Sequence, residues 1–377
     1  MASPPGRSTA LRLLLFPFLL LSALLLLFLA PSSSAPPPPS PSNLALEWYA
    51  PFLSGGGYCS EALSFLQSTA LAGLPLRAVQ HGDGVSHSFV DGLPGPLRTA
   101  LNQAVNRRPD HRRPTVSVCH SEPGAWHPPR WPTARCPPTH AAYTIGRTMF
   151  ETDRIPKGWD ERLNAMDEVW VPTDFHRDVF ARGGVVPEKL VVVPEPVDVD
   201  FFDPAKVGTL MFPRSEGAGA ALEETELEGA ALEETELSGR REGQRRRQFR
   251  LLSVFKWEDR KGWDVLLRAY FLEFAGTPES EVVLYLLTNP YHEGVDFEAR
   301  VREYAVEVLG KDRADRKGEV PAVRVIPRDR PQHALPSLYA SMDALVQPSR
   351  GEGWGRPHAE AMSMGLPVIA TNWSGNT

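Results

Sequence analysis

The chain carries no excess of positive charge. Its 40 lysines and arginines are outnumbered by 46 aspartates and glutamates, for a net charge of -6. A nucleic-acid partner, which draws on clustered basic residues, is therefore not indicated. Cysteine is also scarce, at 3 in 377 residues. Cys59, Cys119 and Cys136 lack the spacing of a zinc site; in an oxidising compartment they allow one disulfide, and their spacing does not select the pair. No G-x-G-x-x-G follows a first strand with an acid after the next, so the fingerprint of a dinucleotide oxidoreductase is missing too. Hydrophobic residues make up 42% of the chain, enough for one or two ordinary globular cores.

Near the start, Arg7 and Arg12 precede an uncharged apolar run from Leu13 to Ala30. It exceeds the ~7–15 residues of a signal-peptide core and nears the ~18 that suffice to span a bilayer. Ala30 and Ala35 are both followed by proline, which marks a cleavage site poorly. Residues 1–30 read as a signal anchor with the rest of the chain in the lumen; a cleaved signal peptide followed by secretion is the alternative. The proline-rich stretch 31–43 reads as an extended stem. Residues 206–247 read as a charged, low-complexity linker. In it GAALEETELE at 219–228 is followed by GAALEETELS at 229–238, too few large apolar residues to bury and too few copies for a solenoid.

On either side of that linker, short apolar runs alternate with helical patterns. Strands are expected at Leu44–Tyr49, Thr115–Val118, Ala141–Ile145, Met166–Pro172 and Val191–Asp200, then at Phe249–Val254, Val282–Leu287, Val323–Ile326, Ala344–Val346 and Val368–Ala370. This alternation implies an α/β fold with two Rossmann-type, doubly wound parallel-sheet domains, near 44–205 and 248–377, facing a cleft. Gly55, Gly56 and Gly57 separate the first strand from a helix expected over Ser60–Gln67. His120 stands at a strand end, where open α/β sheets line their ligand crevice. It is a candidate for substrate contact, with a structural role as the alternative.

The most informative stretch is DALVQPSRGEGWGRPHAEAMSMGLPVIAT, from Asp343 to Thr371. A strand leads into a loop with Gly351, Gly353 and Gly355. Pro357 suits the first helical residue, His358–Met362 continue the helix, and Gly365 stops it before the next strand. Glycines let backbone N–H groups approach a ligand, and the helix start adds unpaired donors, a pattern suited to phosphate. Glu352 and Glu360 bracket the loop. A bare anion site does not call for two carboxylates; a sugar attached to a diphosphate does, because carboxylates accept bonds from its hydroxyls.

The spacing Glu352-x7-Glu360 within EGWGRPHAEAMSMGLPVIAT resembles the signature of the retaining glycosyltransferases of family four, which have the GT-B fold. SVFKWEDRKGWDVLLRAY resembles that family's second signature, with Lys256 where arginine is usual and Lys261 before Gly262. The resemblance implies transfer of a sugar from a nucleotide-diphosphate sugar to an acceptor, with retention at the anomeric carbon and without a metal or other cofactor. It implies that Glu352 and Lys261 are catalytic. Lys256, Lys261, Glu360 and the amides of Gly353, Trp354 and Gly355 would bind the donor. Gly56 and Gly57 would face the cleft, and RTMFETDRIPKGW would bring Arg147 and Glu151 to its edge. Asp198-x-Asp200 matches the metal-binding pattern of the other main glycosyltransferase fold, but its place before Phe201-Phe202 fits a domain connection.

Three departures from the family are visible. No histidine stands between Gly146 and Asp153, Lys256 replaces arginine and so loses its bidentate fork, and the chain ends at Thr377, before the strands that complete the second domain in family members. The expectation is therefore a glycosyltransferase with an incomplete second domain, or alternatively a non-catalytic, membrane-anchored binder of sugar nucleotides. Its anchor and stem resemble the layout of Golgi enzymes with lumenal catalytic parts. Asn372-Trp373-Ser374 is a glycosylation sequon within the candidate site region.

Overall fold

The computed structural model of the protein describes residues 43–210, 248–290, 296–327 and 332–377. The expected membrane segment at 1–30 and the tandem repeat lie outside these residues. Among the described residues no helix is long and apolar enough to cross a membrane.

The first domain has six strands: β1 (Ala45–Ala50), β2 (Arg77–Gln80), β3 (Thr115–His120), β4 (Ala141–Arg147), β5 (Glu168–Val171) and β6 (Leu190–Val192). They pair in parallel in the order β2-β1-β3-β4-β5-β6. Its helices are α1 (Gly57–Leu71), α2 (His87–Asp91), α3 (Gly95–Val105), α4 (Trp159–Asn164) and α5 (Asp174–Arg182). The second domain has β7 (Phe249–Trp257), β8 (Val282–Pro290), β9 (Val323–Pro327), β10 (Ala344–Gln347) and β11 (Val368–Ala370), in the order β11-β10-β7-β8-β9 and again all parallel. Its helices are α6 (Trp263–Phe274), α7 (Phe297–Leu309), α8 (Lys311–Ala314), α9 (Leu335–Ala340) and α10 (Arg356–Ser363).

The inner strands of each sheet are buried on both faces, which explains why they read as unbroken apolar runs, whereas the edge strand β11 leaves Ile369 exposed. In β8, Val283, Tyr285 and Leu287 join one core cluster, while Val282, Leu284 and Leu286 join the other. That split is the two-residue period of a strand. In β1, Trp48 and Ala50 face one core and Tyr49 the other. Helix α6 buries Leu266, Leu267, Tyr270 and Phe271, the face expected from their spacing, at about 1.5–3 kcal/mol for each aliphatic or Phe side chain.

Several boundaries differ from the sequence reading. The strand expected over Val191–Asp200 stops at Val192, because Pro194 and Pro196 have no N–H to give to a ladder. Helix α10 begins at Arg356, one residue before Pro357, and Gly365 (φ 70°) follows its end as expected. The short strand β2 and the helices α3 and α5 were not foreseen, although α3 buries Leu97, Leu101 and Ala104 at helical spacing and α5 buries His176, Val179 and Phe180. Asp198 caps the turn that follows: its Oδ1 accepts from the backbone N–H of Asp200 at 3.2 Å and of Phe201 at 2.9 Å. Asp200 pairs with Lys206 at 2.9 Å, so the two aspartates build the domain connection. Cys119 and Cys136 form the disulfide, and Cys59 is a buried thiol.

Candidate functional site

In the second sheet the strand order reverses between β7 and β10. Ligands of open α/β sheets bind where the loops part at such a switch point. Here the loop after β7 (258–262) and the loop after β10 (348–355) lie against each other. Gly262, at φ 68°, makes this possible, since a Cβ there would collide with the carbonyl oxygen of Pro348. The glycine of the Lys261-Gly262 pair therefore serves loop contact, and that contact delivers Lys261 to the other loop.

The result is a short ion pair. Lys261 Nζ lies 2.6 Å from Glu352 Oε2. Arg260 Nη1 stands 3.7 Å from the same oxygen and donates to the Gly351 carbonyl at 2.7 Å. On the other side, Gln347 Nε2 donates to Glu352 Oε1 at 3.4 Å. Glu352 is 5% exposed. Burial alone pushes its carboxyl upward, but Lys261 and then Arg260 hold it below the usual range, so it is ionised at neutral pH. Its backbone is fixed as well: the Glu352 N–H donates to Ser374 Oγ at 3.1 Å, and its carbonyl accepts from Gly375 N at 3.0 Å.

The glycine loop meets the first domain directly. A Cβ on Gly353 would collide with the Met149 side chain, and one on Gly351 with the Glu151 carbonyl. At these two positions the space expected for a ligand is taken by the 149–151 segment. Ser374 Oγ donates to the Glu151 carbonyl at 2.9 Å, and Arg260 Nη1 lies 3.5 Å from Glu151 Oε1. Tyr58, at the start of α1, donates to the Met149 carbonyl at 3.1 Å and so ties this segment to the Gly55–Gly57 turn. Gly56 caps α1 and lies beside Asp83, while Gly57 is its first residue. Lys256 is the next-to-last residue of β7, before Trp257. Desolvation raises the Asp83 carboxyl and the charge of Lys256 opposes that rise, which places Lys256 within electrostatic reach of the first domain. The indole N–H of Trp354 and Nε2 of His358 are buried without a protein partner.

Glu360 engages other groups. It accepts from Tyr339 OH at 3.0 Å and lies 3.8 Å from Arg356 Nε. Of the two carboxylates of the signature, Glu352 thus meets Lys261, Arg260 and Gln347, and Glu360 meets Tyr339 and Arg356.

His120 and Arg147 require a correction. Both were expected at the cleft and both are fully buried, at 0% exposure, beneath α1. Arg147 Nε donates to Glu61 Oε1 at 2.7 Å, and its Nη1 donates to the Val193 carbonyl at 2.6 Å. His120 Nδ1 accepts from Trp48 Nε1 at 3.0 Å, which leaves the proton on Nε2 to be donated to Glu61 Oε2 at 2.8 Å. Burial pushes the Glu61 carboxyl up, but Arg147 and His120 outweigh it and bring it down to about 2. A buried charge needs such a partner, and this triad is how the first domain accommodates one.

Sequence reading did not find Arg260, Gln347, Ser374, Glu61, Glu195 or Arg356. Arg260 stands directly before the Lys261-Gly262 pair, and that adjacency was the available signal. Ser374 adopts φ 78° without being glycine, which no local pattern announces.

Residues 248–377 match the family described as glycosyl transferases group 1. No curated protein matches the whole chain by sequence. Among solved structures, a glycosyltransferase from Rickettsia africae is similar at 15% identity, covering 88% of this chain and 80% of that one, with a TM-score of 0.51. HepE from Anabaena, solved with UDP and glucose, is similar at 13% identity over 88% of this chain and 81% of its own, with a TM-score of 0.49. With its two parallel Rossmann-type sheets, the chain has the GT-B architecture, and the match of residues 248–377 to group 1 glycosyl transferases supports a transferase.

Proposed function

We propose that the chain transfers a sugar from a nucleotide-diphosphate sugar to an acceptor with retention at the anomeric carbon, the counter-charge for the diphosphate coming from lysine side chains. The observation that carries this reading is the meeting of Lys261 and Glu352, 2.6 Å apart, where the loops after β7 and β10 leave the sheet. A diphosphate gains negative charge as it departs, and preorganised cations aimed at that charge lower the barrier, by about 3–4 kcal/mol for a well-placed donor. Lys261 and Lys256 take that role. Glu352 holds hydroxyls of the transferred sugar, and Glu360 those of the ribose. The acceptor hydroxyl forms its new bond on the face from which the phosphate leaves, and its proton passes to the departing phosphate oxygen. Glu151, joined to Arg260, lies at the acceptor side of this site.

The same reading puts the enzyme in the secretory pathway, as a type II Golgi or endoplasmic reticulum protein with a lumenal catalytic part. Support comes from Arg7 and Arg12 before the uncharged run 13–30, from the proline-rich stretch after it, and from the Cys119–Cys136 disulfide, a bond that persists in oxidising compartments.

A donor panel tests the function. Full-length protein incubated with UDP- and GDP-sugars and mixed glycan acceptors is expected to transfer one of them. Lys261→Ala is expected to abolish that transfer while the protein still folds, as read by circular dichroism, at a lowered melting temperature because Glu352 loses its partner. Wild-type turnover in Lys261→Ala refutes the assignment.

A further inference from the structure

We propose that Glu352 is a built-in occupant of the diphosphate position: its carboxylate, here the counter-ion of Lys261, must be displaced by an incoming diphosphate, and is compensated only when a sugar is attached. This rests on the reading above that Lys261 grips a diphosphate.

Three observations support it. The Lys261–Glu352 contact is short, and the two side chains are only 14% and 6% exposed, so water does little to replace either partner. The second carboxylate oxygen accepts from the Gln347 amide at 3.4 Å and retains further acceptor capacity. Finally, the Glu352 backbone is held in place: its N–H is bound to Ser374 and its carbonyl to Gly375. When Lys261 turns to a diphosphate, Glu352 stays beside it.

The two ligand states then differ in a definite way. With a nucleoside diphosphate alone, Glu352 has lost its ammonium partner and faces another anion, an arrangement that like-charge repulsion and partial burial disfavour. With the intact donor, sugar hydroxyls donate to the freed carboxylate. Glu352 therefore selects for the intact donor by penalising the product nucleotide, a specificity obtained through repulsion of the wrong ligand. It also favours release of that nucleotide after transfer.

Titration calorimetry on the full-length chain tests this, with UDP and GDP as nucleotide probes and UDP-glucose and GDP-mannose as intact donors. Glu352→Gln is expected to bind its preferred diphosphate about tenfold tighter than wild type, on the scale of a charge-assisted hydrogen bond no longer broken. The gain is expected to be smaller for the sugar nucleotide. Lys261→Ala weakens diphosphate binding, and adding Glu352→Gln to it changes little further. Glu352→Asp, which keeps the charge but draws it back by one methylene, is expected to fall between wild type and Glu352→Gln. Unchanged or weaker diphosphate binding in Glu352→Gln, with Lys261→Ala still impaired, overturns this inference alone. Absence of binding in wild type and Glu352→Gln alike, or indifference to Lys261→Ala, overturns the donor-site reading and this inference with it.

Discussion

Arg356, in the first turn of α10, lies 3.4 Å from Glu195, which stands in the segment leaving β6 of the other domain. Both side chains are buried, at 17% and 3% exposure, and Arg356 Nη2 also donates to Ser64 of α1 at 3.2 Å. One guanidinium thus joins the donor-side helix, the domain connection and the first helix of the chain. Behind it stands the Glu61–Arg147–His120 triad, whose negative charge acts on Glu195.

That arrangement gives the fold a pH dependence. Burial, then the charge of Glu61, push the Glu195 carboxyl up to about 8, against the pull of Arg356 and Arg147. A carboxyl raised in the folded state binds its proton more tightly there than in the unfolded chain. Its contribution to stability is therefore present below its unfolded value of 4.5 and is lost as pH rises toward 8. Glu195→Gln cannot ionise and escapes the loss. Melting temperatures of the two proteins from pH 5 to 9 are expected to diverge in favour of Glu195→Gln, with the gap levelling off above about pH 8. Parallel curves would show that Arg356 neutralises Glu195 throughout.

Gly351 and Gly353 both touch the 149–151 segment, but through different atoms, and the difference predicts which substitution can be rescued. Gly353→Ala meets the end of the flexible Met149 side chain, whereas Gly351→Ala meets the Glu151 backbone oxygen. Each is expected to destabilise by about 1–3 kcal/mol, the usual penalty of overpacking. Met149→Ala should recover most of the loss in the Gly353 variant and none in the Gly351 variant. A double-mutant cycle on denaturation midpoints reads the coupling, and equal rescue of both would refute the packing described.

Ser374 holds a left-handed backbone, φ 78°, and a hydroxyl that serves the Glu151 and Glu352 carbonyls at 2.9 and 2.8 Å. Ser374→Ala removes the hydroxyl and keeps the backbone strain. Ser374→Gly removes the hydroxyl and relieves the strain. The alanine variant should therefore be the less stable by about 1 kcal/mol, the cost of placing a Cβ in that region. Thermal melting decides it, and the reverse order would mean that the backbone relaxes out of the left-handed region when the hydroxyl is lost.

Much of the second domain was legible because its signals are local. Lys261-Gly262 at the start of α6 and Gly365 at the end of α10 each mark a boundary through their own conformational limits. The apolar runs of β7, β8 and β10 need no partner to be recognised as buried strands. The first domain was read less well: β2 is only four residues long, and the buried faces of α3 and α5 rest on three residues each, Leu97, Leu101 and Ala104 in one and His176, Val179 and Phe180 in the other. His120 and Arg147 illustrate the limit of the method. Their place at strand ends was readable, but the burial of both against Glu61 depends on α1 lying over those ends, 86 residues from Arg147 in the chain.

By itself the sequence determined that two parallel α/β units would form and that Lys256, Lys261, Glu352 and Glu360 would stand in or next to the β7 and β10 loops. Periodicity, glycine and proline act within a few residues, so they are written in the chain directly. Only the tertiary structure decided which ionisable groups meet: Lys261 with Glu352, Glu61 with Arg147 and His120, Glu195 with Arg356. A buried charge is stable only beside its counter-charge, and which counter-charge lies within 4 Å is a property of packed elements that no neighbour in sequence reports.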